Sequence, residues 1–190
     1  MLRIPESYDT SLPPELGDEV EWPNDIYTQV KVINVDYINT VTMVVGLTIE
    51  LTLKWRDHKI DYENLKNVKD EEGTFRTIPN KEKSNIWFPI PELVHENAII
   101  GESKTVNFYT LGVEVRNNSM PMDPSLSRET LIYPGNEHIL VIKQRMKLQY
   151  RCEFFLVYFP FDDSTCDFFL SILTIGNNSI MMTNDDNSVI

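Results

Sequence analysis

No stretch of this 190-residue chain stays apolar for the roughly 20 residues that a membrane-spanning helix needs; runs such as Met43 to Leu47 fall far short. Nor does the N-terminus, Met1 to Glu6, offer the apolar centre and small-residue cleavage site of a signal peptide, which leaves a processed chain or a cytosolic one. Basic residues are scarce: 17 against 29 acidic ones give a net charge of -12. Such a field repels phosphate backbones and anionic lipid heads, so nucleic acid is excluded as a partner. The chain also lacks G-x-S-x-G, H-E-x-x-H, a P-loop and G-x-G-x-x-G. Enzyme activity therefore has no residue support and no cofactor is expected. Neither an internal repeat nor a helix-length stripe of 3.6-residue period is present.

What remains is ordinary globular material, with 42% hydrophobic, 24% charged and 11% aromatic residues, enough for one domain with a core. The clearest signal is strict alternation. Leu47, Ile49, Leu51, Leu53 and Trp55 share one face, with Thr48, Glu50, Thr52, Lys54 and Arg56 on the other, which predicts a strand with one wet side. The same period recurs at Leu111, Val113 and Val115, and at Met146, Leu148, Tyr150 and Cys152. In Tyr27 to Val41 the phase holds through Val30 and Val32 and slips at Ile33, which predicts a bulge. Strands separated by turn-rich connections predict an all-β fold, sandwich or barrel. Prolines 5, 13, 14 and 23 mark residues 1–24 as a leading arm with one helical turn. The sandwich is placed at 25–176, and the Asn- and Asp-rich stretch 177–190 is read as a loop or frayed end.

Cys152 and Cys166 are the only cysteines and bracket thirteen residues. Their spacing is compatible with a hairpin-scale disulfide, which would stabilise the fold by about 3 kcal/mol, and equally with two buried thiols. The residues between them narrow the choice. A C-x13-C loop enclosing Tyr158, Phe159, Pro160, Phe161 and Asp162 resembles the signature loop of the Cys-loop, or pentameric ligand-gated, receptors. Upstream, Trp55-Arg56-Asp57 resembles the W-x-D at the end of that family's second strand. Ile86-Trp87-Phe88-Pro89 resembles the I-W-x-P that opens binding segment A. Tyr8-Asp9 and the stretch 35–41, at the link between the first two strands, are weaker echoes.

The resemblance implies an immunoglobulin-like curled β-sandwich of about ten strands and a Cys152–Cys166 disulfide whose loop passes gating motion to a pore. It further implies a homo- or hetero-pentamer on the extracellular side of the plasma membrane, with a small-molecule or ion agonist bound between neighbours. Trp55, Asp57, Trp87 and Pro89 become structural residues; read by itself, each of Trp22, Trp55 and Trp87 fits a plain core position. The family cages ammonium ligands with aromatic rings. Counting along the motifs places segment A on Val94, segment B on Leu173, segment D on Glu50 and Thr52, and segment E on Val141 and Lys143. None of these is aromatic; segment C is expected beyond residue 190. The departures imply a non-amine ligand, such as a proton, metal ion or acidic molecule, or a non-binding subunit in a hetero-pentamer.

Rival constellations are weak. His58, His95 and His138 lack metal-ligand spacing and are read as surface histidines. Asp162-Asp163 and Asp185-Asp186 lack the ligand ladder of a calcium loop. Asn117 and Asn177 head glycosylation sequons, as an extracellular domain allows. Two alternatives stay open: a soluble secreted binding protein of the same fold without a pore, and an unrelated adhesion sandwich.

Overall fold

The computed structural model describes residues 2–14, 24–65, 74–89, 93–95, 104–116, 120–123, 131–154, 157, 164, 166–167, 169–172 and 180–184. Strands appear where residues alternate in polarity. In chain order they are β1 (Leu2–Arg3), β2 (Asn24–Asn39), β3 (Val44–Trp55), β4 (Asp61–Glu63), β5 (Phe75–Thr77), β6 (Leu93–His95), β7 (Lys104–Glu114), β8 (Ile132–Tyr133), β9 (Ile139–Arg151), β10 (Leu170–Ile172) and β11 (Ile180–Asn184). One short helix, α1 (Asn80–Lys83), follows β5.

A six-stranded sheet in the order β11-β2-β3-β9-β7-β5 forms the main layer of the sandwich, with a three-stranded sheet β1-β4-β8 and a two-stranded ladder β10-β6 beside it. The three long alternating segments seen in the sequence are its centre. β3 pairs with β9 without a break from Val44↔Arg151 to Trp55↔Leu140, which sets Ile49 opposite Met146 and Leu53 opposite Ile142 on the core face. These side chains, with Leu51, Trp55, Leu111, Val113 and Leu148, make a continuous buried core. Each fully buried side chain of this kind contributes on the order of 1.5–3 kcal/mol against exposure.

The slip at Ile33 is a bulge: the β2–β3 register shifts between Val32 and Asn34, and again between Val35 and Tyr37. The turn to β3 takes in only the end of the stretch 35–41 and runs on to Met43, since β2 continues to Asn39. There the Asn39 side-chain oxygen accepts from the Val41 and Thr42 N–H groups at 3.0 Å each. Met43 closes the turn in the left-handed region at φ 55°.

Three sequence readings are revised. The arm within 2–14 has no helix among the described residues; Leu2 and Arg3 pair instead with Tyr62 and Asp61, and the Leu2 N–H donates to Glu82 Oε2 at 3.0 Å. Ile180–Asn184, read as a loop, pairs in parallel with Asn24–Thr28. The second face of β3 is not fully wet, because Thr48 and Thr52 are buried between flanking strands of a sheet where an edge strand would have exposed them.

Candidate functional site

Two of the sequence motifs and the weakest echo meet at one point. Tyr8 comes from the arm, Asp57 from the loop after β3, and Trp87 from the loop after α1. The Tyr8 hydroxyl donates to Asp57 Oδ2 at 2.6 Å and accepts from the Trp87 N–H at 3.0 Å. The Lys59 N–H donates to Asp57 Oδ1 at 3.0 Å. Asp57 is fully buried. Burial pushes its carboxyl above the usual range, and the bonds from Tyr8 and Lys59 oppose the rise. Burial, then the neighbouring Asp57 charge, pushes the Tyr8 phenol up in turn. Trp55 and Trp87, both buried, stand edge to face with ring centroids 6.1 Å apart, and Pro89 is buried beyond them. These groups are buried and bonded to one another, which makes the junction a buttress.

A second buttress adjoins it. Gly135, in the 3₁₀ turn Gly135–Glu137, lies so close to the loop after β3 that a Cβ there would strike the carbonyl oxygens of Ile60 and Asp57. His138 follows it. It is not a surface residue: it is fully buried, edge-on to the rings of Tyr62 and Tyr133 at 5.6 and 6.0 Å. Its Nδ1 accepts from the Arg116 N–H at 3.4 Å. His58 is half-buried, and the His95 side chain lies outside the described residues. Among the described residues no group of three or more His, Cys, Asp or Glu side chains gathers to hold a metal.

The positions counted as segments D and E do converge. Glu50 and Thr52 on β3 stand opposite Arg145 and Lys143 on β9, and Lys54 stands opposite Val141. All share the sheet face turned away from the core, since their neighbours at 49, 51, 53, 142 and 146 face inward. Arg145 Nη2 lies 3.2 Å from Glu50 Oε2, and Lys54 Nζ lies 3.6 Å from Glu114 Oε2. Val141 is buried under this layer. Lys143 is exposed, flanked by Thr52 on one side and Thr110 of β7 on the other. Its ammonium sits 5.4 Å from the centroid of the Phe75 ring, within cation–π range. The edge of that ring reaches over Gly112, where any Cβ would collide with it.

The segment A position falls on a different ladder. Val94 of β6 pairs with Ser171 of β10, and Leu173, counted as segment B, lies outside the described residues. Within one chain, no ladder of the described residues joins these positions to the β3–β9 face.

Cys152 and Cys166 are joined in a disulfide with Cα atoms 5.3 Å apart. The Cys152 N–H donates to the Met43 carbonyl at 2.9 Å, so the β2–β3 turn and the start of the cysteine loop are tied together. Val41 at the turn is 90% exposed and Val157 in the loop 79%, so each element presents an apolar side chain. Tyr158, Phe159, Pro160, Phe161 and Asp162 lie outside the described residues, as do Trp22, Asn117 and Asn177.

Sequence reasoning gave Tyr8 only as an echo and passed over Phe75 and Gly135. A single aromatic in Thr-Phe-Arg-Thr and a glycine in Tyr-Pro-Gly-Asn carry no local mark of the long-range contacts they make. No curated protein matches the chain significantly. A family model, by contrast, matches residues 1–189, almost the whole chain and all three motifs, and its description is the neurotransmitter-gated ion-channel ligand binding domain. The disulfide-closed loop, the buried W-x-D and the all-β sandwich agree with that match, and the chain belongs to the neurotransmitter-gated ion-channel ligand-binding domain family.

Proposed function

We propose that this chain is the extracellular ligand-binding domain of one subunit of a pentameric ligand-gated channel, taking its ligand between neighbouring subunits. The observation that carries the reading is the meeting of Glu50, Thr52, Val141 and Lys143 on one outward sheet face across β3 and β9. A neighbour's β6–β10 region, with Val94 and Leu173, would supply the other wall. A ligand bridging two subunits favours one arrangement of the pair over another, and that differential affinity is what shifts a closed-to-open equilibrium. The bond from Cys152 to Met43 supports the cysteine loop and the β2–β3 turn as the elements that pass the shift on.

Negative-stain images of the native protein, purified from the cells that make it, test the assembly. Five-fold rings are expected in the membrane fraction; monomers or dimers overturn the reading. Five-fold rings recovered from the medium identify the soluble binding protein instead.

A further inference from the structure

In a chain with twelve excess negative charges, the outward face of the β3–β9 pair is locally cationic. The β9 column Lys143, Arg145, Lys147 points to this side. Two of its members meet acids: Arg145 pairs with Glu50, and Lys147 acts on Asp36, whose carboxyl is held low chiefly by the Thr48 hydroxyl. Lys143, at the end of the column, has no carboxylate within ion-pair distance among the described residues. Its ammonium stands over the ring of Phe75, drawn by that ring's negative face. The two residues in register with it, Thr52 and Thr110, both bear hydroxyls.

We propose that this face takes an organic anion: a carboxylate bound by the Lys143 ammonium beside the exposed Thr110 hydroxyl, with Phe75 holding Lys143 in place. The inference rests on the inter-subunit ligand site proposed above and names the chemistry of its ligand. An ammonium ligand is disfavoured by the same residues. It would meet like charge from Lys143 and Arg145 at the positions where an aromatic cage would be needed. Lysine, a compact charge with rotatable donors, suits a single carboxylate, and the Thr110 hydroxyl beside it would orient the second oxygen.

The test uses the native assembled protein with glutarate as the anionic probe and tetramethylammonium at equal ionic strength as the cationic one, both followed by titration calorimetry. Saturable glutarate binding is expected. Lys143→Gln should weaken it about tenfold or more, the loss of one charge-assisted contact, whereas Lys143→Arg should keep most of it. In protein whose lysines carry ¹³C-methyl groups, the Lys143 resonance, assigned with Lys143→Arg, should move with glutarate and stay still with tetramethylammonium. Glutarate binding untouched by Lys143→Gln, or tetramethylammonium binding more tightly than glutarate, overturns the proposal. Five-fold rings that bind no glutarate refute the ligand chemistry alone, while absence of rings removes the receptor reading on which it rests.

Discussion

Replacing Tyr8 by phenylalanine removes one oxygen and, with it, two hydrogen bonds. The ring is retained and keeps its packing against the core. What is lost is the donor to Asp57 at 2.6 Å and the acceptor for the Trp87 N–H at 3.0 Å. A bond to a charged group contributes about 1.5–3 kcal/mol and a neutral one about 1 kcal/mol. The sum, about 3 kcal/mol, is a large share of the stability of a domain. For a chain of this length that corresponds to a fall in Tm of about 6–12 °C. The buried Asp57 then keeps only the Lys59 N–H as donor among the bonds described. Urea unfolding of oxidised protein, read by the fluorescence of Trp55 and Trp87, measures the loss. A double-mutant cycle with Asp57→Asn should return a coupling of about 1–3 kcal/mol. A Tyr8→Phe protein within about 0.5 kcal/mol of the parent would refute the buttress.

Asp57→Asn also tests the charge itself. Because burial raises the carboxyl above its ordinary value of 3.8, its contribution to stability is full below that value and is lost as pH rises through the raised one. The stability of the parent minus that of Asp57→Asn should therefore decline as pH rises above about 4; a difference that grows with pH contradicts the assignment. Gly135→Ala forces a Cβ into two backbone carbonyls and should cost about 3 kcal/mol or more, against almost nothing for exposed Asn136→Ala; equal thermal melts would show that the loop yields. Reducing the Cys152–Cys166 bond, which spans a sequence separation of 14, should destabilise by about 3 kcal/mol in chemical denaturation, and an unchanged midpoint would count against a structural role. Arg145→Ala should cost less than about 0.5 kcal/mol, since its side chain is 54% exposed and the Glu50 partner 33%; a loss above about 1 kcal/mol would mean that the pair is more than a surface bridge.

The sheet was legible wherever one face meets core and the other meets solvent or a charged ladder, as in β3, β7 and β9. Burial there imposes a period of two on the sequence itself. The bulge after Val32 was legible for the same reason, as a break in that period. β11 was not. Its five residues sit among Asn and Asp, and its partner lies at the other end of the chain, so nothing local distinguishes it from a loop. His138 failed similarly: its burial depends on Tyr62 and Tyr133, which only the fold brings beside it. Of the candidate site, the face shared by Thr52 and Lys143 follows from alternation, but their adjacency needs the β3–β9 register. Phe75 reaches Lys143 only because Gly112 leaves room for its ring.

The tie between Met43 and Cys152 carries a consequence for how the chain can change over evolutionary time. With the turn closed at Met43 and its carbonyl bonded to Cys152, the pairing that begins at Val44↔Arg151 is clamped at one end. One residue inserted into β3 just past that clamp would rotate every later side chain in the strand by half a period. Glu50 and Thr52 would turn inward, and their core neighbours outward. Length changes near the clamp should thus be tolerated only within the turn, where residues 40–42 can absorb them without moving the register. The same bond that couples two loops also acts as a ruler, fixing which side chains the outward face displays.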